Sequence, residues 1–415
     1  MSDKKWMRPE SLMMSYGYRP ELSEGAVKCP IFQTSTFVFQ KAEEGKAFFE
    51  IAYGLREPHP GEESGLIYSR LNNPDMEILE QRLTLWDKSE ACAVFSSGMG
   101  AITTMMMEIL RPGDLIVFSS PLYGGTDHFI HHVLPVWGVD YVSFDAFCSR
   151  EEILKRIEAT GKKPSLIYVE TPANPTNSVI DLEMCRAIAD SFTTPEKKVY
   201  VAVDNTYMGP LWCHPLEHGA DIVLYSATKY IGGHSDVIAG AVLGSANIIQ
   251  RIKAMRTFYG NVIDPWTCWL LMRSLETLKP RMTLQATNAE HVANWLHAHP
   301  KVEKVYYLGL IPEQDSQYKI FKKQYSSNGA MLSFDIKGGE KEAFTFLNHL
   351  KLIKLAVSLG STESLAEHPA TMTHADVSDA DKKKHHISEK LVRISVGVEY
   401  YEDIIWDINQ ALEAV

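Results

Sequence analysis

The sequence has few cysteines and no cysteine pattern. Six cysteines are scattered over 415 residues without a CxxC pair, at positions 29, 92, 148, 185, 213 and 268. Scattered single cysteines are typical of proteins whose thiols stay reduced, and not of small disulfide-stabilised domains. The first ten residues, MSDKKWMRPE, are polar and lack the apolar core of a signal peptide. We therefore predict a cytoplasmic protein.

Long apolar runs and basic clusters are also missing. No stretch approaches the roughly 20 apolar residues of a membrane span, and no run of Lys or Arg offers the positive patch that neutralises nucleic-acid phosphates. The net charge is −11, and 45% of the residues are hydrophobic, which is ordinary for a globular protein. These absences predict a protein with neither a membrane nor a nucleic acid as partner.

The chain divides into three predicted regions. Residues 1–65 lack sustained periodicity and form a predicted N-terminal arm, whose Gly-, Pro- and Glu-rich piece, GLREPHPGEESG (54–65), is expected to be an exposed loop. Across 66–264 short β-type runs alternate with helical patterns, and several strands are apolar on both faces, which favours a parallel sheet covered by helices on both sides. Residues 265–415 have an α+β pattern, in which Pro280 is expected to break or kink the first long helix.

The predicted fold class is therefore α/β. The large domain has a doubly wound, mostly parallel sheet, and a smaller α+β domain follows at the C-terminus. Ligands of doubly wound sheets bind where the carboxyl ends of the strands face helix N-termini. The residues at those strand ends are the first candidates for a functional site.

Four strand ends carry unusual residues. The turn SSGMG (96–100) places small residues before a helix, which is typical of an anion cradle. Tyr123, Asp204 and Lys229 follow the ends of three other strands. A cradle, an aromatic ring, a carboxylate and an amine are what pyridoxal phosphate (PLP) requires for its phosphate, its ring, its pyridine nitrogen and its aldehyde. Together the four strand ends predict a PLP site.

Each feature also has a purely structural explanation. In that explanation the glycine-rich turn only allows close packing and Tyr123 is a core aromatic residue. Asp204 is then a helix cap, and Lys229 is an ordinary surface side chain. A dinucleotide site is the competing functional interpretation, because SGMGAIT partly matches GxGxxG. Thr103 replaces the third glycine, however, and no acidic residue follows the next strand. A zinc site is disfavoured, because the adjacent histidines at 131–132 and 385–386 point apart.

Longer motifs identify a family. The chain resembles the Cys/Met-metabolism PLP enzymes, which include cystathionine γ-synthase, cystathionine γ-lyase, methionine γ-lyase and O-acetylhomoserine sulfhydrylase. The resemblance is carried by IFQTSTFVF (31–39), YSRLNNP (68–74), ETPANP (170–175), VDNTY (203–207), YSATKYIGGH (225–234), SLGSTESLAEHPATMTH (358–374) and ISEKLVRISVGVE (387–399). It implies a fold-type I, aspartate-aminotransferase-like fold, an amino-acid substrate, and a homotetramer built from two catalytic dimers.

The resemblance also implies roles for individual residues. Lys229 is the expected Schiff-base lysine and general base, Tyr123 is the stacking ring and an acid–base partner, and Asp204 pairs with the pyridinium nitrogen. Ser358 and Arg393 are expected to bind the substrate α-carboxylate. The other implied cofactor-binding positions are Tyr68, Arg70, Gly98, Met99, Asn174, Thr206, Ser226 and Thr228. The first two of these are expected to reach the phosphate of the neighbouring subunit.

Two positions depart from the subfamily patterns. Methionine γ-lyases typically carry a cysteine two residues after the stacking tyrosine, where this chain has Gly125, as cystathionine enzymes do. Cystathionine enzymes typically carry a glutamate just before SLG, suited to a distal ammonium group, where this chain has Val357, as methionine γ-lyases do. We assign Val357 to the substrate-binding set, and its apolar side chain disfavours cystathionine as substrate or product.

The resemblance implies chemistry at the γ-carbon of an amino acid. We expect γ-elimination from a methionine-like or other γ-substituted amino acid such as canavanine. The products are 2-oxobutanoate or a homoserine-type compound, with ammonia or the leaving group. The alternative is γ-replacement on an activated homoserine ester. A PLP-binding scaffold without turnover is disfavoured because Lys229, Asp204 and Arg393 are all present, and no metal is expected.

The loop at 54–65 suggests one further hypothesis. It is longer than its usual counterpart before YSR, in a region that lies near a neighbour's active-site mouth in this family. Its acidic residues Glu57, Glu62 and Glu63 suit a cationic substrate such as canavanine. The alternative, which we favour, is a solvated acidic loop without a selective role.

Overall fold

Two β-sheets organise the chain. The computed structural model describes residues 7–60, 62 and 65–415. The strands of the large sheet are β1 (Ala91–Phe95), β2 (Leu115–Ser119), β3 (Asp140–Phe144), β4 (Pro164–Glu170), β5 (Tyr200–Asp204), β6 (Ile222–Ser226) and β7 (Gly240–Gly244). Those of the small sheet are β8 (Val302–Tyr306), β9 (Met331–Ile336), β10 (Lys354–Leu355), β11 (Leu365–Glu367) and β12 (Leu391–Ser395).

Helices flank both sheets. The α-helices are α1 (Pro9–Leu12), α2 (Ala42–Ala52), α3 (Pro74–Asp87), α4 (Gly98–Ile109), α5 (Gly124–His128), α6 (Arg150–Ala159), α7 (Leu182–Phe192), α8 (Gly209–Trp212), α9 (Ala246–Tyr259), α10 (Pro265–Leu275), α11 (Leu278–Ala298), α12 (Ser316–Gln324), α13 (Glu340–His349), α14 (Asp379–Lys384) and α15 (Tyr401–Glu413). Short 3₁₀ turns cover Pro20–Leu22, Leu134–Trp137, Pro215–His218, Leu308–Leu310 and Pro369–Thr371, and a π turn covers Phe129–Val133.

The large sheet is mostly parallel. Its strand order is β1-β7-β6-β5-β4-β2-β3, and the five strands β2 to β6 pair in parallel with one another. Only the insertion of β7 between β1 and β6 makes antiparallel ladders in this sheet. The small sheet has the order β10-β11-β12-β9-β8 and is antiparallel apart from β10 and β11. The predicted α/β class, with a large mostly parallel sheet, is confirmed.

Both faces of the large sheet are buried. Phe118 and Tyr168 belong to the apolar core on one face, whereas Val117 and Ile167, their neighbours along the same strands, belong to the core on the other face. Side chains alternate between the faces of a strand, so a strand covered on both sides must be apolar throughout. Helices therefore lie on both sides, and the functional groups collect at the exposed carboxyl edge.

Local caps fix where the helices start. Asn73 accepts a hydrogen bond from the Asp75 backbone N–H at 3.0 Å at the start of α3, and Pro74 supplies a preset first turn. Ser97 accepts from the Gly100 N–H at 2.9 Å, which begins α4 immediately after β1. The cap at Ser97 therefore places the positive end of a 12-residue helix at the carboxyl edge of the sheet.

Two expectations about helices need correction. The break in the long helix lies before Pro280 and not at it: α10 ends at Leu275, and Pro280 is the third residue of α11. A proline is tolerated in a first turn, because its missing N–H has no intrahelical partner there. Helix α2 lies in the region predicted to lack sustained periodicity, so that prediction was wrong for Ala42–Ala52. The domain boundaries at 65 and 264 stay a prediction.

The structure also bears on membranes and thiols. Within residues 7–60, 62 and 65–415, no helix combines the length and the apolar character needed to cross a bilayer. All six cysteines are free, and Cys148 alone among them is not fully buried.

Candidate active site

Lys229 lies in the turn that follows β6, with most of its side chain buried. Its Nζ donates a hydrogen bond to Ser358 Oγ at 2.9 Å. Burial lowers the pKa of Lys229 to about 8 because it disfavours the charged ammonium group; repulsion from Arg393 acts in the same direction and attraction to Glu367 opposes it. An amine with this pKa is partly neutral at neutral pH, which makes it a nucleophile and a base.

Asp204 is the last residue of β5 and is buried. Its Oδ1 accepts hydrogen bonds from the Thr206 N–H at 3.0 Å and from Thr206 Oγ1 at 2.6 Å, and its Oδ2 accepts from the Tyr168 hydroxyl at 3.3 Å. Burial raises the pKa of Asp204, while the bonds from Thr206 lower it. The carboxylate is therefore held in one orientation at the carboxyl edge of the sheet.

The N-terminus of α4 adjoins the end of β6. A Cβ atom at Gly98 would lie 3.1 Å from the Cβ and Oγ atoms of Ser226, so glycine permits a close approach there. Thr206 Oγ1 accepts a hydrogen bond from the Ser226 N–H at 2.8 Å, which ties β5 to β6. The Thr228 hydroxyl is bonded to the backbone of Ala239. This small-residue hollow at a helix N-terminus suits a phosphate group.

Tyr123 extends from the loop after β2 and is 46% exposed. Its backbone N–H donates to Glu170 Oε2 at 2.7 Å. A Cβ at Gly125 would lie 2.8 Å from Tyr123 Cε1 and 3.1 Å from Met99 Sδ. The tyrosine ring therefore packs over the backbone of Gly125, beside the start of α4.

Glu170 is a site residue that sequence reasoning missed. It ends β4 directly beside Asp204 of β5 in the parallel register. Burial raises the pKa of both carboxyl groups, and the charge of Asp204 raises the pKa of Glu170 further. At most one of the pair is therefore ionised readily. The signal was present in ETPANP, where an apolar strand ends in a carboxylate as it does in VAVDN.

Arg393 of β12 joins the small sheet to the site. Its Nη1 donates to Asn174 Oδ1 at 3.0 Å and its Nη2 to the carbonyl oxygen of Ser358 at 2.8 Å. Asn174 Oδ1 also accepts from the Tyr207 hydroxyl at 2.9 Å. A second missed residue, Glu367 of β11, is buried and lies 2.7 Å from Arg393 Nη1.

Ser358 is the meeting point of these groups. Its φ is +117°, a left-handed conformation that non-glycine residues rarely adopt. Backbone strain of this kind persists where surrounding contacts impose it, and it is concentrated at functional sites. Here the strained residue bonds both Lys229 and Arg393. Its neighbour Val357 is 55% exposed and lies at the surface beside the site.

Two predicted residues do not join this cluster. Tyr68 is 42% exposed, and Arg70 donates from Nη1 to the Thr257 carbonyl oxygen at 2.9 Å while lying 5.8 Å from the Tyr68 ring centroid. They line a surface hollow with Gly260 and Pro265 that includes none of the other predicted site residues. Within one chain, the structure therefore assembles the predicted site without Tyr68 and Arg70.

The acidic loop is paired internally. Glu62 accepts two hydrogen bonds from Arg56, at 2.7 Å each, and Arg56 also donates to Glu50 at 3.1 Å. The bonds from Arg56 lower the pKa of Glu62 to about 2. Glu57 is exposed, and Glu63 lies outside the described residues. The charge of Glu62 is thus balanced within its own loop, which supports the favoured explanation of a solvated loop.

An anion hollow, an amine and a buried aspartate at the carboxyl edge of a mostly parallel sheet are the arrangement by which fold-type I enzymes bind PLP. This chain is such an enzyme. It belongs to the family of Cys/Met metabolism PLP-dependent enzymes, whose family model matches residues 10–413.

Individual relatives cover nearly the whole chain. The L-methionine gamma-lyase of Fusobacterium nucleatum subsp. nucleatum is 42% identical over 393 residues, 94% of each chain. That of Porphyromonas gingivalis is 41% identical over 418 residues, 99% of this chain and all of the other. The crystal structure of metB from Corynebacterium glutamicum superposes with a TM-score of 0.86 at 34% identity, covering 99% of both chains.

Proposed function

We propose that this protein is a γ-lyase that uses its PLP to remove a sulfur-linked group from the γ-carbon of a methionine-like amino acid. The observation that carries the proposal is the shared contact at Ser358, which brings the Lys229 amine and the Arg393 guanidinium to one residue. Similarity to methionine γ-lyases over nearly the full chain supports it.

The residues at the sheet edge fit the cofactor. Glycine at position 98 leaves open the space that a Cβ would fill beside Ser226, at the positive end of α4. The groups that would hold the phosphate are Gly98, Met99, Thr206, Ser226 and Thr228. Those that would hold the ring are Tyr123, Asn174 and Asp204, and Lys229 would hold the aldehyde.

Bound PLP supplies an aldehyde that joins the substrate amine and a ring that withdraws electrons from the adjacent carbon. The Lys229 amine, whose pKa burial lowers to about 8, is suited to accept the Cα proton near neutral pH. The Tyr123 phenol is suited to exchange a proton with the departing γ-group. Arg393 and Ser358 would hold the α-carboxylate and so fix which Cα bond faces Lys229.

The apolar side chain of Val357 favours a substrate with an uncharged γ-substituent. It is exposed next to Ser358, so the mouth of the site has an apolar side chain there. Such a side chain gives no partner to a second ammonium group. With methionine as substrate, water is consumed and methanethiol, 2-oxobutanoate and ammonium are formed. The Cγ–S bond breaks, and a proton returns to the carbon skeleton.

The second candidate is γ-replacement on an activated homoserine ester. Gly125, which the cystathionine enzymes share, supports this alternative. So does the similarity to the cystathionine gamma synthase of Xanthomonas oryzae pv. oryzae, with a TM-score of 0.87 at 30% identity over 98% of both chains.

Release of 2-oxobutanoate without added thiol separates the two candidates. We expect release from methionine, at a higher kcat/KM than from cystathionine, O-acetylhomoserine, homoserine or canavanine. The Lys229→Ala variant, loaded with cofactor, is expected to lose activity by about 10³-fold or more, because the base is gone. If the wild-type enzyme releases nothing from methionine but joins a thiol to O-acetylhomoserine, the replacement candidate is correct.

We also propose a homotetramer of two catalytic dimers and a cytoplasmic location. Support for subunit contact comes from large apolar side chains that a single chain leaves exposed near Arg70, namely Phe258 (79%), Tyr259 (50%) and Trp266 (54%). Exposed apolar patches of this kind mark interaction surfaces. Light scattering on the purified protein tests the tetramer, and fractionation of its native cells tests the location.

A further inference from the structure

Glu367 forms a buried ion pair with the arginine proposed to hold the substrate. Its Oε1 lies 2.7 Å from Arg393 Nη1, and the two residues are 0% and 3% exposed. They face each other across the antiparallel ladder of β11 and β12, so the pair is built into the small sheet. An anion placed beside an anion-binding group opposes the binding of a second anion.

The ion pair occupies one edge of the guanidinium. Nη1 donates a hydrogen bond to Asn174 and forms the ion pair with Glu367, and Nη2 donates to the Ser358 carbonyl oxygen. Arg393 Nε is buried and has no hydrogen-bond partner within residues 7–60, 62 and 65–415. A guanidinium has five N–H donors, and a carboxylate binds two parallel ones. Glu367 therefore occupies the Nη1 side of the guanidinium, and the buried, unpaired Nε–H is the donor left for an incoming carboxylate.

Glu367 also balances charge in the site. Its Oε1 accepts a hydrogen bond from Thr373 Oγ1 at 3.0 Å, while its Oε2 is buried without a hydrogen-bond partner in the described part of the chain. Burial raises the pKa of Glu367, whereas attraction to Arg393 and Lys229 lowers it. The nearby His374 is buried, which lowers its pKa to about 4 and keeps it neutral at neutral pH. The negative charge of Glu367 thus opposes two cations.

We propose that Glu367 is a positioning residue that determines how the site binds an amino-acid carboxylate. Its ion pair fixes the guanidinium of Arg393 with the Nε–H unpaired, and its negative charge limits the affinity for the anionic substrate. This inference rests on the proposed function, because it assigns the α-carboxylate to Arg393. Weak carboxylate binding keeps KM high without lowering kcat, since the contact is the same in the ground and transition states.

Glu367→Gln removes the charge but keeps the size of the side chain, with an oxygen atom still available beside Nη1. We expect KM for methionine to fall about 3- to 10-fold with kcat within about twofold, the signature of changed uniform binding. Calorimetry on the cofactor-loaded protein should show norleucine, whose γ-substituent cannot leave, binding tighter by the same factor. Norleucinamide, which has no carboxylate, should bind as it does to the wild type.

Glu363→Gln is the matched control. Glu363 lies four residues before Glu367, but its carboxylate bonds Ser235 and Thr362 and not Arg393. This variant should leave the ratio of norleucine to norleucinamide affinity unchanged. Glu367→Ala, which also removes the side chain packed beside Nη1, should weaken norleucine binding by loosening the guanidinium.

An unchanged affinity ratio in Glu367→Gln would overturn the inference. Should that variant not fold, Glu367→Asp keeps the charge but withdraws it by one methylene, and a smaller shift in the same direction is expected; no shift again contradicts the inference. The norleucine arm is independent of turnover. If no amino acid yields 2-oxobutanoate, the proposed function fails while the role of Glu367 is still decided by binding.

Discussion

Burial lowers the pKa of Lys229, so we expect the reactivity of its amine to depend on pH. With its pKa lowered to about 8, the neutral amine dominates above pH 8, and each pH unit below reduces the neutral fraction about tenfold. The cofactor-free protein should therefore take up PLP faster as the pH rises from 6 to 8, and at a constant rate above. Stopped-flow measurement of the visible absorbance of the bound cofactor checks this.

The same shift has a consequence for stability. Because the unfolded chain binds the lysine proton at its ordinary pKa of 10.5 and the folded chain only below about 8, the free energy of unfolding of the cofactor-free protein should rise with pH across that window. Lys229→Ala should lack both effects. An uptake rate that still increases up to pH 10.5 would mean that the amine titrates as an exposed lysine does.

Gly125 has no side chain, and the Tyr123 ring lies close to the space that a side chain would fill. A Cβ there would lie 2.8 Å from Tyr123 Cε1, so Gly125→Ala must displace the ring or the Met99 sulfur. Displacement of a positioned group by about 1 Å costs on the order of 10²-fold. We expect kcat/KM for methionine to fall about 10- to 100-fold, with a changed visible circular dichroism of the bound cofactor.

The neighbouring glycine supplies the control for that substitution. A Cβ at Gly124 would lie 3.1 Å from the Thr373 carbonyl oxygen and would not meet the ring. Gly124→Ala should therefore keep the wild-type circular dichroism of the cofactor. Wild-type spectra and rates for Gly125→Ala would show that the ring has room to spare.

Among single residues, the sequence predicted those whose position depends only on their own strand. Asp204 ends β5 and Lys229 follows β6, so their place at the sheet edge could be predicted from the chain alone. The contacts of Glu170 and Glu367 depend on how the strands pair. Glu170 lies beside Asp204 because β4 pairs with β5, and Glu367 lies beside Arg393 because β11 pairs with β12. No single-sequence pattern fixes such pairings, so neither residue was predicted as part of the site.

Among the elements, α15 shows how one side chain fastens a helix to the sheet. The buried Asp407 accepts backbone hydrogen bonds from Lys351, Leu352 and Ile353 at 2.8 to 2.9 Å, just before β10. Hydrogen bonds to a charged acceptor contribute more than neutral ones, and buried donors left weakly paired are costly. We expect Asp407→Asn to lower the free energy of unfolding by about 2–4 kcal/mol.

Urea unfolding of the cofactor-free protein measures that loss. Glu413→Gln on the same helix is the control, because Glu413 is exposed and bonds only Asn409 among the described residues. It should change the free energy of unfolding by less than about 0.5 kcal/mol. An equal, small effect of both substitutions would mean that the Asp407 cap is replaced by water.

The buried strands are the elements that the sequence predicted best. Strands β4 to β7 are apolar along most of their length, which is the pattern that the sequence showed across residues 66–264. Helix α2 buries little beyond Gly45, yet Ala47, Phe48, Ile51 and Ala52 recur at helical spacing, so the signal was present in the sequence and was missed. The helix break lies before Pro280 and not at it, because a proline is compatible with the first turn of a helix.

At the scale of the whole molecule, the proposal that Tyr68 and Arg70 complete a neighbour's site can be tested by mixing inactive subunits. Arg70→Ala and Lys229→Ala should each be nearly inactive alone. In a hybrid catalytic dimer, one of the two sites keeps both side chains, so random pairing restores about a quarter of the sites. We expect co-expression of the two variants to recover activity for methionine at about that level.

The arrangement of subunits decides the outcome of this experiment. If Arg70 served its own chain, no combination of the two variants would contain an intact site, and co-expression would recover nothing. Light scattering of the mixture, with a different tag on each variant, confirms that hybrids have formed.

The insertion of β7 has a consequence for how the protein is made. Among the described residues β1 pairs only with β7, so the strand that leads into the helix of the phosphate hollow pairs with a segment about 150 residues further along the chain. At ribosomal speeds that interval lasts roughly 7–30 s. During it the apolar faces of α3 and α4 lack the sheet that they cover in the folded chain, so we expect this part of the nascent chain to need protection from aggregation.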